Sequence, residues 1–265
     1  MAMFVFPIIG CKKNTSIDLK PSLNTANDIL LSTRPFIYAF SFLVKAVSDS
    51  TLHKNHYALI DSTEVTFDEA NNRYIFYFSG KMNGDSIRRY GGFSAILDND
   101  FFLTGTRIAF TFQGYAEDAH AITAIDSLVN IGTSSGGILG FAGTVRDVLV
   151  AKDSVRVIRA QYRQTFYVDQ SILMNNPGSA IIRVEGTGDG VSSMGYAFTS
   201  VIASALQNDF RCPWISGGLI SFSIPVAPVQ TGTIDFTKTE CSDQVTYDFE
   251  GTIYKWMMIS KYLRE

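Results

Sequence analysis

From about residue 57 onward, the sequence is a succession of short strand-like runs separated by turn residues. In the run from Thr106 to Tyr115, large apolar residues at 108, 110 and 112 alternate with smaller or polar ones. This alternation is typical of a half-buried strand. Turns recur about every 8–12 residues, the spacing of antiparallel neighbours. No long helical pattern separates the runs, which argues against a parallel sheet with crossover helices.

The pattern predicts an all-β fold. We expect residues 57–265 to form a large antiparallel meander sheet, folded as a sandwich or an open barrel, with a short N-terminal helix before it. Twisted sheets of this many strands usually fold over rather than stay flat. The polar residues that alternate along the runs indicate that at least one sheet face contacts water.

The overall composition excludes several classes of protein. Hydrophobic residues make up 46% of the 265-residue chain and charged residues 18%, which is enough apolar material for a core and too little charge for a disordered chain. The net charge of −3 argues against nucleic-acid binding, which needs a basic surface. No uninterrupted apolar run approaches the roughly 18 residues that a membrane-spanning helix needs.

The region before the strands divides into two parts. Residues 12–26 are polar, contain a proline and predict a tether. Residues 27–56 predict a helical segment and a polar linker, because apolar residues recur at three- and four-residue spacings. Pro35 is expected to start or kink this helix, with Ser32 or Thr33 as its cap. The aromatic and β-branched residues there leave a strand as the alternative.

The first eleven residues have the layout of a bacterial lipoprotein signal. An apolar stretch from Phe4 to Ile9 is followed by Gly10 and Cys11, and Ile8-Ile9-Gly10-Cys11 resembles a lipobox. The stretch is short and no Lys or Arg precedes it, which a translation start further upstream would explain. We therefore expect residues 1–11 to be a signal remnant, with lipid attached to Cys11. The alternative is an ordinary first strand that ends in a buried cysteine.

Few motifs point to chemistry. The chain has three histidines and contains neither a G-x-S-x-G nor an H-E-x-x-H motif, so we assign no catalytic residue, cofactor or metal ligand. Glycine-rich segments at 132–137 and 186–190 predict hairpin turns rather than phosphate-binding loops. Three carboxylate pairs lie in predicted turns and keep a glycan-acting hydrolase open as an alternative: Asp68/Glu69, Asp98/Asp100 and Glu117/Asp118.

Aromatic residues on two predicted strands are candidates for ligand binding. They are Tyr74, Phe76, Phe78, Phe110 and Phe112. If their sheet face is not covered by protein, the rings could stack on sugars or hold an apolar ligand. The alternative is that the sheet is packed on both faces there.

The remaining cysteines are candidates for a disulfide. If Cys11 carries lipid, Cys212 and Cys241 are left as a pair in an oxidising compartment. Closing a loop of about 29 residues would contribute about 3.6 kcal/mol in the chain-entropy model. The alternative is two small buried residues in adjacent strands.

The last fifty residues carry a distinctive series of motifs. They are Arg211-Cys212-Pro213-Trp214-Ile215-Ser216-Gly217, Thr231-Gly232-Thr233-Ile234-Asp235-Phe236, Glu240-Cys241-Ser242-Asp243, Val245-Thr246-Tyr247 and Gly251-Thr252-Ile253-Tyr254. This series resembles the uncharacterised β-rich envelope lipoproteins of the Bacteroidota, and the likeness extends over most of residues 60 to 258. Thr237 stands where that group often has glycine, and Ser242 separates the cysteine from Asp243, so the turn differs locally.

The resemblance implies a β-rich lipoprotein of the bacterial envelope and brings no catalytic residues with it. The sequence therefore predicts a membrane-anchored protein with a non-catalytic binding or structural role. Its expected partners are the membrane, through the N-terminal lipid, and a glycan or apolar ligand. The alternative hydrolase would need two carboxyl groups about 5–9.5 Å apart in a cleft.

Overall fold

The computed structural model describes residues 20–82, 84–152, 156–237 and 241–258. Its helices are α1 (Lys20–Val47), α2 (Ser50–Asn55) and α3 (Gln170–Asn175), and single 3-10 turns lie at Glu69–Asn71 and Pro177–Ser179. Its strands are β1 (Tyr57–Ile60), β2 (Thr63–Asp68), β3 (Arg73–Met82), β4 (Arg88–Leu97), β5 (Arg107–Glu117), β6 (His120–Thr133), β7 (Ile138–Ala151), β8 (Val157–Asp169), β9 (Ile181–Val191), β10 (Ala197–Asp209), β11 (Ile215–Ile224), β12 (Gln230–Asp235), β13 (Gln244–Phe249) and β14 (Thr252–Met257).

The strands form one antiparallel sheet. In the described residues it has 14 strands, and their order in space is their order in the chain. Within these residues the end strands β1 and β14 are not hydrogen-bonded to each other, so the sheet is open. Inward and outward side chains alternate along strands such as β8, in keeping with the period of two in the sequence. The predicted all-β antiparallel meander is confirmed.

Helix α1 lies inside the curve of this sheet. Phe36 packs edge-on against Phe112 of β5, with ring centroids 5.5 Å apart, and Phe40 packs on Phe166 of β8 at 4.4 Å. Strands β1, β7, β10, β12 and β13 also contact the helix. Because strands from both ends and the middle of the sheet touch it, the sheet is rolled around α1. The hydrophobic core lies between the helix and the inner sheet face.

The helix is longer than the short segment that the sequence predicts. It begins at Lys20, so residues 20–26 are helical and not part of the predicted tether. Pro21 lies in the first turn, where a missing backbone N–H costs nothing. Pro35 lies inside the helix rather than at its start, and the Ser32 hydroxyl donates to the Asp28 carbonyl one turn earlier, at 2.6 Å. The expected cap at Ser32 or Thr33 is therefore wrong, because contacts on all sides hold the helix through the proline.

By length and composition, α1 could also cross a membrane. However, 94% of its most apolar window is buried inside the protein. A helix that is apolar on every side is expected wherever it is surrounded by protein. In this fold α1 is therefore a core helix.

The two glycine-rich segments differ in structure. The segment at 132–137 contains the predicted turn, because residues 134–137 join β6 to β7. The segment at 186–190 lies within β9, so the predicted turn there is wrong. A Cβ atom at Gly188 would lie 2.3 Å from the ring of Tyr162 on β8. Glycine is needed at this position of β9 because the Tyr162 ring lies against the backbone there and leaves no room for a side chain.

Candidate functional site

A cavity of about 340 Å³ opens beside the C-terminal half of α1. One helix face forms its floor with Tyr38, Ser41, Phe42 and Lys45, whose spacings of three and four residues bring them to one side. Its walls come from the β1–β2 turn, the β3–β4 loop with the start of β4, and the segment that joins β10 to β11. The wall residues are Asp61, Ser62, Gly84, Asp85, Arg89, Asn208, Phe210, Arg211, Cys212 and Pro213.

Arg89 lies at the centre of the inner wall of the cavity and contacts Asp85 and Tyr38. Its Nη1 and Nη2 atoms donate to the two carboxylate oxygens of Asp85, at 3.0 and 2.5 Å. The guanidinium also lies 4.9 Å from the ring centroid of Tyr38. Tyr38 in turn donates its hydroxyl proton to the carbonyl oxygen of Pro213, at 2.5 Å. These contacts tie α1, β4 and the β10–β11 segment together around the cavity.

Behind this wall, Glu117 links two buried arginines. Its Oε2 accepts from Arg34 Nη2 at 2.6 Å, and its Oε1 accepts from Arg89 Nε at 3.1 Å and from the hydroxyl of Tyr115 at 2.9 Å. Burial alone would raise the pKa of Glu117, but the two arginines outweigh it and lower the pKa to about 2. Glu117 therefore stays ionised at neutral pH and holds no proton for acid catalysis.

Two cations lie at the mouth of the cavity. Lys45 Nζ donates to Asp61 Oδ2 at 2.5 Å and lies 4.8 Å from the ring centroid of Phe210. Arg211 donates to both oxygens of Asp209, and 64% of its side chain is exposed. Exposed ion pairs such as these contribute only about 0–1 kcal/mol. Both cations are already paired with a carboxylate in this structure.

Asn208 is the most unusual residue of the lining. It lies near the end of β10 and is 4% exposed. Among the described residues its Nδ2 atom has no hydrogen-bond partner. A buried polar atom without a partner costs about 1–3 kcal/mol, so such atoms require an explanation. Asn208 lines the cavity, but its Nδ2 atom is fully buried and faces no open space there.

A disulfide closes one side of the cavity. Cys212 and Cys241 are bonded, with Cα atoms 5.4 Å apart, so the pairing considered from the sequence is present. Cys212 itself lines the cavity. The bond therefore holds the β10–β11 segment in place beside Asn208.

The five aromatic residues that we predicted as a ligand face are elsewhere. Tyr74, Phe76, Phe78 and Phe110 are buried, and Phe112 is partly buried. They point inward, where Phe42 of α1 packs on two of them and Phe36 on another. The prediction of an open aromatic face is wrong because the helix covers the inner face of the sheet. The alternative of a sheet packed on both faces is also wrong, since the outer face is exposed there, as at Tyr77.

Of the six predicted turn carboxylates, Glu117 is not in a turn but ends β5 and is buried between Arg34 and Arg89. The others lie in turns or at the end of a strand. Asp98 accepts from the backbone N–H of Arg107, and Asp100 accepts from that of Phe102. None of the six carboxylates lines the cavity. No observation on the described residues therefore favours the hydrolase.

The remaining predicted features concern metal binding and lipid attachment. Among the described residues, no group of His, Cys, Asp and Glu could hold a metal ion. Cys11 lies outside the described residues, so lipid attachment there stays a prediction.

Sequence reasoning missed the residues that form the cavity, including Lys45, Asp85, Arg89 and Asn208. They lie far apart in the chain, and no short motif connects them. Arg34 carried a readable signal, because a charged residue inside a mainly apolar helical stretch needs a buried partner.

Comparison with known proteins yields no match to a family model, a curated protein or a solved structure. The functional argument therefore depends on the geometry of the cavity, and the resemblance to envelope lipoproteins stays a prediction.

Proposed function

We propose that the protein is a non-catalytic binding protein of the bacterial envelope, which holds a small molecule in the cavity beside α1. The observation that carries the proposal is the cavity of about 340 Å³, in which ring surface from Phe42 and Phe210 lies beside charged side chains. This volume lies at the lower end of the range for small-molecule sites, about 300–1,000 Å³.

The state of the charged groups supports binding rather than catalysis. Asp85 and Arg89 are paired bidentately in the wall, and Glu117 behind them is held ionised by its arginines. The Ser41 hydroxyl donates to the carbonyl of Ile37 within the helix, at 2.8 Å. These groups serve to fix the shape and charge of the cavity.

The envelope location draws support from the disulfide, since such bonds persist in oxidising compartments. We further propose that lipid on Cys11 anchors the protein. Eight residues separate Cys11 from the start of α1. Fully extended, they would reach at most about 28 Å, so the anchored domain would stay close to the membrane surface.

Native mass spectrometry of protein purified gently from membranes tests the binding role. We expect the wild-type protein to carry a bound small molecule, and Gly84→Phe, which adds a ring at the cavity lining, to lose it. Lys54→Gln, at an exposed residue of α2 outside the cavity lining, should keep it. Wild-type protein that is repeatedly free of ligand would contradict the binding role.

Membrane fractionation tests the anchor separately. Cys11→Ser should move the protein from the membrane fraction to the soluble fraction. If the variant remains in the membrane fraction to the same extent as the wild type, the lipid anchor is excluded.

A further inference from the structure

Two loops at one end of the sheet expose apolar side chains. The loop that joins β11 to β12, residues 225–229, reads Pro-Val-Ala-Pro-Val. Four of its five residues are exposed, and Val229 is 59% exposed. The loop that joins β9 to β10, residues 192–196, carries Met194, which is 52% exposed. Neither loop contains a charged residue. We call residues 192–196 and 225–229 the loop face, because exposed apolar patches of this kind mark interaction surfaces.

The loop face lies at the end of the sheet where α1 begins. In an antiparallel meander every second hairpin falls at the same end, so the β9–β10 and β11–β12 loops lie on one side. The first turns of the helix contact both. Asn24 Nδ2 donates to Met194 Sδ at 2.7 Å, and the Ser22 hydroxyl donates to the side chain of Gln230, immediately after the β11–β12 loop. The start of α1 and the loop face are therefore adjacent.

Hydrogen bonds hold the β9–β10 loop on the helix. Asp28 of α1 is 5% exposed, and its Oδ2 accepts from the backbone N–H and the hydroxyl of Ser193, at 2.7 and 2.9 Å. The Ser192 hydroxyl accepts from the backbone N–H of Tyr196 at 3.1 Å. The serine side chains of this loop therefore bind the protein itself, whereas Met194 is exposed to solvent.

The N-terminal segment indicates what covers the loop face. Eight residues separate Cys11 from Lys20, the first residue of α1, and they span at most about 28 Å. A bilayer that holds lipid on Cys11 therefore lies within this distance of the start of α1. Apolar side chains gain free energy when they enter the boundary between the headgroups and the acyl chains, whereas charged side chains lose it.

On the basis of the proposed lipid anchor, we propose that the loop face is the surface that docks on the lipid bilayer. Met194, Val229 and the prolines of the β11–β12 loop enter the headgroup region of the membrane that holds the lipid on Cys11. The anchor and the loop face together fix which end of the protein faces the membrane.

Quenching of site-specific labels in vesicles tests this orientation. Protein purified from membranes is reconstituted into vesicles of phosphatidylethanolamine and phosphatidylglycerol that contain doxyl-labelled lipid. A fluorescent maleimide is attached to Val229→Cys in one sample and to Met174→Cys in the other. Cys212 and Cys241 are bonded to each other, and a lipidated Cys11 has no free thiol, so only the introduced cysteine reacts.

Met174 is a matched control for Val229. It is apolar and 63% exposed, but it lies on α3, at the other end of β9 from the β9–β10 loop. The eleven residues of β9 separate the two ends by roughly 30 Å. We expect quenching at Val229→Cys to be about threefold stronger than at Met174→Cys, because only the first position enters the interface.

A charge on the loop face should weaken the contact. Val229→Asp should lower the quenching of a label at Met194→Cys by about half, because a carboxylate resists entry into the interface. Met174→Asp should leave that quenching unchanged. Both substituted residues are more than half exposed, so thermal unfolding followed by circular dichroism should match the wild type.

Failure of the docking surface and failure of the anchor give different results. Equal quenching at Val229→Cys and Met174→Cys, or quenching that Val229→Asp leaves unchanged, overturns the docking surface. If the maleimide labels Cys11 in protein without an introduced cysteine, the lipid anchor fails. The same two labels on Cys11→Ser then decide the docking surface: stronger quenching at Val229→Cys supports it without the lipid, and equal quenching excludes it.

Discussion

Replacing Glu117 by glutamine tests the buried ion cluster behind the cavity. Glutamine has nearly the same shape and still accepts hydrogen bonds, but it carries no charge to balance Arg34 and Arg89. Both arginines are about 1% exposed and have no access to bulk water. Removing one partner of a buried pair is strongly destabilising, because an uncompensated charge stays in the interior.

The size of the effect follows from the pKa of Glu117. Folding lowers this pKa from its ordinary value of 4.5 to about 2, because the attraction of the two arginines exceeds the cost of burial. A shift of about 2.5 pKa units corresponds to about 3 kcal/mol. Because the folded-state pKa is depressed, this stability is present above pH 4.5 and is lost as the pH falls from 4.5 towards 2.

Urea unfolding followed by circular dichroism between pH 7 and pH 2.5 measures this effect. We expect Glu117→Gln to be about 3 kcal/mol less stable than the wild type at pH 7, and the two to converge as the pH falls. Glu64→Gln, at an exposed position of β2, should differ by less than about 0.5 kcal/mol throughout. A stability difference between Glu117→Gln and the wild type that is absent at pH 7, or constant down to pH 2.5, would refute the reasoning.

Three further predictions concern the core. Phe40→Ala removes a ring that is 1% exposed on α1 and should cost about 3–5 kcal/mol in urea unfolding; a loss below about 1 kcal/mol would show that the helix is not enclosed. Gly188→Ala should cost about 1–3 kcal/mol because its methyl group meets the ring of Tyr162, whereas Gly178→Ala, with open space around it, should cost much less. Burial raises the pKa of Asp126 from 3.8 to about 8, so the protein loses stability as the pH rises through this range. Asp126→Asn should remove that loss and be more stable than the wild type at pH 9; parallel stability curves from pH 5 to pH 9 would contradict this.

Strands were predictable from the sequence because their signal is local. Alternation with a period of two marks which residues face inward, and β5 follows the predicted pattern from Ile108 to Phe112. The β2–β3 connection carries a local signal of the same kind, since Asn72 takes the left-handed conformation, with φ of 44°, that its residue type favours. The glycine-rich run at 186–190 also predicted a turn, but that prediction was wrong because the run lies inside strand β9.

The cavity could not be predicted because it depends on where α1 lies. A helix that is apolar on all sides gives no indication of which strands surround it, and the covered aromatic face was misread for that reason. The cavity residues converge only after the sheet rolls around the helix. Asn208, for instance, is 163 residues away from Lys45 in the chain.

The central position of α1 has a consequence for folding kinetics. Its hydrogen bonds join residues that are far apart in the chain. The Ser22 hydroxyl donates to the side chain of Gln230, 208 residues away, and Arg34 donates to the carbonyl of Met258, 224 residues away. Contacts between such distant residues form slowly, because the entropy of closing the loops is lost before the contacts stabilise the fold. Helix α1 is synthesised before every strand of the sheet but is among the last elements to be enclosed, so its apolar surface stays exposed to aggregation until the final strands form.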